Sequence, residues 1–282
     1  MNKTNKFPQT PGPIGIFDSG YGGLTILRQI RSLMPQYDYL YLGDNARAPY
    51  GTRSFDIVYE FTLQAVKYLF AQGCHLVILG CNTASAKALR SIQQNDLPQM
   101  DPNRRVLGVI RPTVEIVGGI SQSRHVGIMA TSGTIRSATY DLEIAKLHPD
   151  IHVTGEACPM WVPLVENDEY DGPGADYFVK KNIDSLLSRD PQIDSVILGC
   201  THYPLLIEKI RKYMPSDIHV IEQGYYVANS LQDYLIRHPE MKERITQGGS
   251  TRFLTTEQAE AFQSKAAAFM GASLKAERVH LE

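Results

Sequence analysis

Short apolar runs alternate with longer amphipathic stretches along this chain, and this alternation limits the possible folds more than any other feature. The first half contains PIGIF, LTILRQIRSL, YDYLYL, SFDIVYEFTLQAVKYLF, HLVIL and ASAKALRSIQQ in that order. Short β-branched runs are typical of strands, and the amphipathic stretches are typical of helices. Strands that alternate with helices form parallel sheets, so the pattern predicts an α/β fold with mainly parallel sheets.

The second half of the chain echoes the first. GIFDSGYGGLTIL aligns with GIMATSGTIRSA, and LVILGCNTAS aligns with SVILGCTHYP. In each copy a Ser-Gly loop follows one strand and a Gly-Cys loop follows another, with 63 residues from Asp18 to Cys81 and 68 from Ser132 to Cys200. The repeat predicts two related α/β domains. Two such domains facing each other would place the active site, with both cysteines, in the cleft between them.

Three segments outside this repeat also carry predictions. The Asn/Pro-rich stretch from Asn95 to Arg105 indicates a domain boundary near residue 100. The polar start MNKTNKFPQTPG predicts a flexible arm over residues 1–11. Near the other end, HVIEQ and YYVANSLQDYLIRH predict a strand and a helix, and Thr255 or Thr256 could cap a final helix within RFLTTEQAEAFQSKAAAFM.

Composition excludes several classes of partner. The 282 residues have a net charge of −2 and no basic stripe, which argues against nucleic acid as a partner. No apolar run approaches the roughly 20 residues that span a bilayer, and the N-terminal residues lack the apolar core of a signal peptide, so we expect a cytoplasmic protein with no membrane partner. The four cysteines form no CxxC pair, and reduced thiols are expected.

Two of the cysteines occur in the same context. Cys81 in GCNTAS and Cys200 in GCTHYP each follow an apolar strand and precede a predicted helix. Backbone amides at a helix N-terminus stabilise a thiolate and lower its pKa, so each thiol could act as a base. A buried structural cysteine is the alternative for either one alone, but the repeat favours function. Cys74 and Cys158 lack the repeated context and are predicted to be structural.

The loops beside the cysteines supply polar groups. The loop that begins Asp18-Ser19 precedes a helix and contains no nucleotide-binding motif, so it suits a carboxylate, although either residue could merely cap the helix. Further donors for an amino-acid carboxylate, or alternatively further helix caps, follow the two cysteines: Asn82, Thr83, Thr201 and His202. His202 could also exchange protons with its neighbouring thiol.

Two other positions are candidates with ordinary alternatives. Tyr50 and the Gly51 amide, in the loop GDNARAPYG, could bind a distal carboxylate or could form a Pro-Tyr-Gly turn. Glu166 could be a cleft carboxylate that tunes His202, or a solvated surface residue.

The chain resembles the aspartate/glutamate racemase family, and in particular its glutamate racemases. The resemblance lies in six motifs in order: IFDSGYGGLTIL, GDNARAPYGTRS, GCNTAS, TSGTIRS, ACPMWVPLVEN and GCTHYPLL. It implies two related α/β domains, one over residues 1–100 plus 212–282 and the other over 101–211. It also implies that neither metal nor pyridoxal phosphate is needed, and that a homodimer is common.

The same resemblance implies a role for each site residue. Cys81 and Cys200 would be the catalytic acid/bases, with Asp18 assisting Cys81, and with Glu166 and His202 assisting Cys200. Cys200 would deprotonate L-glutamate and Cys81 D-glutamate. The implied substrate contacts are Asp18, Ser19, Tyr50, Gly51, Asn82, Thr83, Thr201 and His202.

The resemblance also bears on the substrate and on the purpose of the reaction. Aspartate racemases generally carry an acidic residue at the position of His202 and lack the PYG loop, and both differences favour glutamate as the substrate. The implied purpose is D-glutamate for peptidoglycan, and so for cell wall biogenesis and cell shape.

Other functions leave recognisable traces in a sequence. A redox or zinc protein would join Cys81 and Cys200 by a disulfide or combine them with His202 around a metal. A hydrolase using Ser19 and His202 would carry a GxSxG elbow, which this chain lacks. A non-catalytic binding protein on the same fold would be indicated by loss of one cysteine, and both cysteines are present.

Overall fold

Two sheets organise the chain in the computed structural model, which describes residues 7–282. Each pairing between neighbouring strands of the two sheets is parallel. The prediction of an α/β fold with mainly parallel sheets is therefore confirmed. The strands of the described residues are β1 (Ile14–Asp18), β2 (Tyr39–Gly43), β3 (Leu76–Leu79), β4 (Arg105–Gly108), β5 (His125–Ala130), β6 (His152–Ala157), β7 (Ser195–Gly199), β8 (His219–Ile221), β9 (Thr251–Thr255) and β10 (Ala276–Arg278).

Helices connect these strands, as expected for crossovers between parallel strands. The α-helices are α1 (Gly23–Leu33), α2 (Phe55–Ala71), α3 (Asn82–Lys87), α4 (Leu89–Ser91), α5 (Leu97–Met100), α6 (Ile110–Ile120), α7 (Ser132–Arg136), α8 (Thr139–Leu147), α9 (Trp161–Glu166), α10 (Pro173–Arg189), α11 (Ile207–Tyr213), α12 (Gln223–Arg237), α13 (Pro239–Lys242) and α14 (Ala259–Met270). Short 3₁₀ turns span Asn45–Arg47 and Tyr203–Leu206, and a π turn spans Ile92–Asp96.

The strand orders of the two sheets show the repeat that the sequence predicted. The six-stranded sheet has the order β10-β9-β2-β1-β3-β4, and the four-stranded sheet has the order β6-β5-β7-β8. The segment β2-β1-β3-β4 therefore matches β6-β5-β7-β8 strand for strand. In both sheets the strand before the Ser-Gly loop lies beside the strand before the cysteine. We call the parts built on the six-stranded and four-stranded sheets the first and second units.

Alternate side chains of the central strands enter different cores. In β1, Ile14 and Ile16 belong to one cluster and Phe17 to another. The first of these clusters also contains Val196 and Leu198 of β7, so it continues from the first unit into the second. Because apolar packing is continuous between the units, the loops at the ends of their strands are held against one another.

The sheets divide the chain at different points from the predicted domain boundaries at residues 100 and 211. β4 pairs with β3 and so belongs to the first unit, and β8 pairs with β7 and so belongs to the second. The boundaries drawn by strand pairing therefore fall after both predicted points. The physical reason is that each strand completes the βαβ unit that precedes it, whereas the Asn/Pro-rich stretch near Asn95 forms short helical turns on the surface of the first unit.

The C-terminal prediction needs correction. Residues 251–255 form β9, which pairs with β2, and the last helix begins only at Ala259. Neither predicted threonine caps that helix, because the Thr255 hydroxyl accepts from the Glu257 amide and the Thr256 hydroxyl donates to Asp44. The alternation of apolar and polar residues around Phe253 is too short to distinguish a strand from the start of a helix.

The predicted flexible arm over residues 1–11 also needs correction where it can be examined. Its first six residues lie outside the described residues. Phe7 packs edge-on against Phe70, with ring centroids 5.6 Å apart, and the guanidinium of the buried Arg104 lies 5.1 Å from the Phe7 ring centroid. Residues 7–11 therefore cover part of the first unit, because an aromatic ring and a buried cation gain from contact there.

Candidate active site

Both repeated cysteine loops line one small cavity between the two units. Its volume is about 80 Å³. Cys81 follows β3 of the first unit and Cys200 follows β7 of the second, and each thiol is buried with 6% exposure and free of any disulfide. The lining residues are Ser19, Pro49, Tyr50, Gly51, Thr52, Cys81, Asn82, Thr83, Thr131, Ser132, Cys158, Pro159, Val162, Pro163, Glu166, Cys200, Thr201 and His202.

Cys81 begins helix α3 as its N-cap. Its Sγ accepts a hydrogen bond from the Ala84 amide at 3.4 Å and lies 3.4 Å from the Ser19 hydroxyl. These contacts favour the thiolate, as the sequence predicted. Burial and the nearby Asp18 carboxylate outweigh them, and the pKa of Cys81 rises to about 12. The expected lowering of this pKa is therefore wrong, and Cys81 carries a proton at neutral pH.

Asp18 lies beneath Cys81, fully buried and outside the cavity wall. Its carboxylate accepts from the Gly20 amide at 2.8 Å and from the Thr201 hydroxyl at 3.4 Å. Burial raises the pKa of Asp18, although the His202 ring opposes this effect. Asp18 is thus placed to act on Cys81 through charge, and Ser19, but not Asp18, lines the cavity.

Cys200 has a different set of neighbours. Its Sγ lies 3.9 Å from His202 Nδ1, and His202 Nε2 lies 3.0 Å from the Glu166 carboxylate. Burial alone would lower the pKa of His202, but hydrogen bonds to Cys200 and Glu166 raise it to about 10. His202 in turn lowers the pKa of Glu166 despite burial of that carboxyl group. A cationic imidazole therefore stands beside the Cys200 sulfur, and Glu166 is a paired cleft residue.

The chain after Cys200 is not an α-helix, contrary to the prediction. A turn leads into the 3₁₀ segment Tyr203–Leu206. The Gly-rich loop before α1 makes room for this turn, because a Cβ at Gly22 would lie 2.2 Å from the Thr201 hydroxyl and 2.6 Å from His202 Nδ1. Neither Asp18 nor Ser19 caps α1, whose N-cap is Gly22. One function of this loop is therefore close packing of the two units.

The loop that contains Tyr50 and Gly51 is ordered and closes one side of the cavity. The Tyr50 hydroxyl donates to the buried Asp44 carboxylate, and burial raises the pKa of Tyr50 far above its usual value. That hydroxyl is thus already engaged. The Gly51 carbonyl accepts from the Gly133 amide at 2.8 Å, and a Cβ at Gly133 would meet that carbonyl at 2.5 Å. Backbone contact therefore joins this loop to the second unit.

Three threonine hydroxyls meet across the same junction. Thr83 Oγ1 lies 3.0 Å from Thr131 Oγ1 and 3.2 Å from Thr134 Oγ1. Thr131 also caps α7 by accepting from the Thr134 amide. Hydroxyl groups rotate and can both donate and accept, so this cluster can present donors to an anion in the cavity.

The side chain of Asn82 belongs to a closed ring of hydrogen bonds. Asn82 Nδ2 donates to Gln223 Oε1 at 2.6 Å, Gln223 Nε2 donates to the Tyr140 hydroxyl at 2.8 Å, and that hydroxyl donates to Asn82 Oδ1 at 2.8 Å. All three residues are at most 3% exposed. The side-chain amide of Asn82 therefore holds the Cys81 loop against the second unit.

Several residues of the site were not predicted as functional. Thr131 and Ser132 line the cavity, and their position in the repeated Ser-Gly loop was the signal that could have identified them. Cys158, assigned a structural role, also lies at the wall, where burial raises its pKa well above the usual range. Tyr140 and Gln223 belong to no motif. No lysine or arginine is among the described residues of the wall, so backbone amides, hydroxyls and His202 must bind any anionic group.

Comparison with known proteins agrees with this arrangement. The sequence model of the family described as Asp/Glu/Hydantoin racemase matches residues 24–227. A glutamate racemase from Ruegeria sp. (strain TM1040) is 41% identical over 267 residues, which cover 91% of this chain and 96% of that protein.

Solved structures give the same result. A glutamate racemase from Francisella tularensis in complex with D-glutamate has a TM-score of 0.85 and 33% identity, and the match covers 96% of this chain and 98% of the other. The enzyme from Thermus thermophilus in complex with β-chloro-D-alanine has a TM-score of 0.81 and 30% identity, over 98% of this chain and 99% of the other.

The chain therefore belongs to the family of Asp/Glu/hydantoin racemases, which confirms the resemblance of its six motifs. The relatives named above are glutamate racemases, and the predicted class of enzyme, an amino-acid racemase, is confirmed with them. Within residues 7–282 no helix is long and apolar enough to cross a membrane.

Proposed function

We propose that this chain interconverts L- and D-glutamate without a cofactor, by proton transfer between Cys81 and Cys200. The observation that carries the proposal is the placement of both thiols at one cavity, one from each unit, each with its own polar neighbours. Inverting a carbon centre needs a base on one face and an acid on the other. The relatives' names, and the D-glutamate bound in the Francisella tularensis structure, support glutamate as the substrate.

The two thiols differ in a way that suits these roles. The cationic His202 lies beside the Cys200 sulfur, whereas burial and the Asp18 carboxylate raise the pKa of Cys81 and keep its proton in place. In the L-to-D direction the Cys200 thiolate takes the α-proton, and the Cys81 thiol then gives its proton to the opposite face of the carbanion. The enzyme is left with a Cys200 thiol and a Cys81 thiolate. Proton exchange with water restores the starting state.

In this proposal, substrate carboxylates are bound by backbone amides, hydroxyl groups and the His202 ring. The Gly51 and Asn82 amides and the hydroxyl groups of Thr83 and Thr201 lie at the wall and can hydrogen-bond an anion. Such donors also stabilise the carbanion, because they are fixed where negative charge develops. Ser19 would contact the substrate directly. Asp18 would raise the basicity of Cys81 when that residue is a thiolate, and Glu166 would keep His202 protonated.

Chiral chromatography of purified protein with L-glutamate and no added cofactor tests the reaction. We expect D-glutamate to accumulate until both enantiomers are equal. Turnover of aspartate without turnover of glutamate would overturn the proposed substrate.

Single Cys→Ser variants test the mechanism. Cys81→Ser and Cys200→Ser should each lose racemisation, because a serine hydroxyl is a far weaker acid than a thiol. Elimination of chloride from β-chloro-alanine needs only one proton abstraction. Cys81→Ser should therefore eliminate from the L form and Cys200→Ser from the D form. Cys74→Ser is the matched control, since Cys74 is also buried but does not line the cavity, and it should racemise normally. The same enantiomer preference in both active-site variants would refute the division of labour.

Three wider proposals rest on family context. The product would supply D-glutamate for peptidoglycan, and so for cell wall biogenesis and cell shape, which predicts that loss of the gene product makes cells require D-glutamate. A cytoplasmic location remains a prediction that cell fractionation tests. A homodimer remains a prediction that sedimentation analysis tests.

A further inference from the structure

Two histidines stand side by side at the start of neighbouring strands in the second unit. His125 begins β5 and His152 begins β6, and the two residues are register partners. Side chains of register partners project from the same face of a sheet. Their ring centroids are 5.2 Å apart. Neither residue belongs to the racemase motifs or to the cavity.

Asp190, which follows α10, completes a three-residue cluster with these histidines. Its carboxylate lies 2.9 Å from His125 Nδ1 and 3.9 Å from His152 Nε2. The ligating atoms of the three side chains all lie within 4.8 Å of one another. Ligands of a tetrahedral zinc ion at distances of about 2.0–2.1 Å are separated by about 3.3 Å. The two distances from Asp190 to the histidine nitrogens, 2.9 and 3.9 Å, lie on either side of that spacing.

The Asp190 carboxylate is held in place by further hydrogen bonds. Asp190 is 6% exposed, and it accepts hydrogen bonds from the Gln192 amide at 3.1 Å and the Thr154 hydroxyl at 3.2 Å. Such second partners orient ligating carboxylates in metal sites. His125 is 23% exposed and His152 is 64% exposed, so the cluster opens to solvent on one side. An ion could enter there and keep water at its remaining position.

We propose that His125, His152 and Asp190 form a zinc-binding site that joins β5, β6 and the loop after α10. Two imidazoles and one carboxylate are ligands that zinc accepts, with water as a fourth. The strands are parallel, and Cys200 follows the opposite end of β7 in the same sheet. The site therefore lies at the far edge of the sheet from the reacting thiols. Zinc bound at this site would stabilise the second unit, because the ion binds only the folded state.

Binding of cobalt(II), a spectroscopic substitute for zinc, separates this site from the catalytic thiols. Thiolate ligands give cobalt an intense near-ultraviolet charge-transfer band, and nitrogen and oxygen ligands do not. We expect the full-length protein to bind one equivalent of cobalt without that band, and zinc to displace it. Zinc should raise the thermal unfolding midpoint.

Variants assign the ligands. His152→Ala, at a largely exposed position that should fold normally, should weaken zinc binding at least about tenfold and abolish the increase in unfolding midpoint. Asp190→Asn should do the same. His219→Ala is the matched control, because His219 is an exposed histidine that begins β8 at the same edge of the same sheet. The proposal would be overturned by absence of zinc binding, by cobalt bound only to thiolates, or by unchanged affinity in His152→Ala. His125 and Asp190 would then be a hydrogen-bonded pair only.

Discussion

Removing the Tyr140 hydroxyl should weaken the protein and its active site together. This hydroxyl, on α8 of the second unit, donates to Asn82 Oδ1 and accepts from Gln223 Nε2. Burial raises the pKa of Tyr140, so the hydroxyl keeps its proton and remains a donor. Asn82 directly follows Cys81. The ring thus transmits any change in the contact between the units to the loop that carries Cys81.

The size of the effect follows from what Tyr140→Phe leaves unpaired. Asn82 Oδ1 loses its hydrogen-bond donor, whereas Gln223 Nε2 keeps the Val109 carbonyl at 3.1 Å and the Thr113 hydroxyl at 3.3 Å. One buried acceptor left without a partner costs about 1–3 kcal/mol. We therefore expect the free energy of unfolding to fall by about 2 kcal/mol, which lowers the unfolding midpoint by roughly 4–8 °C. Misplacement of the Cys81 loop should lower kcat about tenfold or more.

Tyr39→Phe provides the matched control. Tyr39 is 2% exposed and donates one hydrogen bond to the Met34 carbonyl at 2.6 Å, at the end of β2 away from the cavity. Urea denaturation and racemisation assays should show lower stability in both variants but lower kcat only in Tyr140→Phe. If Tyr140→Phe unfolds at the same urea concentration as the wild type, the ring of hydrogen bonds does not contribute about 2 kcal/mol to the free energy of unfolding. If both variants lose activity equally, the position of Asn82 is not the cause.

Three further predictions follow from charges and contacts. Glu166→Gln removes the negative charge that helps to raise the pKa of His202 to about 10. The alkaline limb of the kcat/KM profile should therefore move to lower pH, and an unchanged limb would contradict the pairing of Glu166 with His202. The pKa of His202 is higher in the folded protein, so this residue stabilises the fold fully below about pH 6.5 and loses that effect as pH rises through about 10. In urea titrations, the difference in free energy of unfolding between wild type and His202→Asn should therefore shrink over that range. Phe7→Ala should lower the free energy of unfolding by about 2 kcal/mol, because the Phe7 ring packs on Phe70 and Arg104. Equal stability of wild type and Phe7→Ala would show that this packing does not stabilise the fold.

The sequence by itself determined the class of fold and the pair of cysteines that lie at one cavity. Alternation of apolar and amphipathic runs depends on neighbouring residues, so it predicts parallel strands and helices without knowledge of the tertiary structure. The repeat went further, because two copies with the same strand order place Cys81 and Cys200 at equivalent positions. The polar residues beside each cysteine could be assigned to the site for the same reason.

Only the tertiary structure decided which distant segments complete the two units. β9 joins β2, and β4 stays with the first sheet, because strand pairing depends on packing between residues far apart in sequence. The ring of Asn82, Tyr140 and Gln223 has no local motif for the same reason. The tertiary structure also determines the protonation of Cys81 and His202. A helix N-terminus lowers the pKa of a thiol, but burial and the nearby Asp18 carboxylate have the larger effect and raise the pKa of Cys81. His202 carries the positive charge next to Cys200.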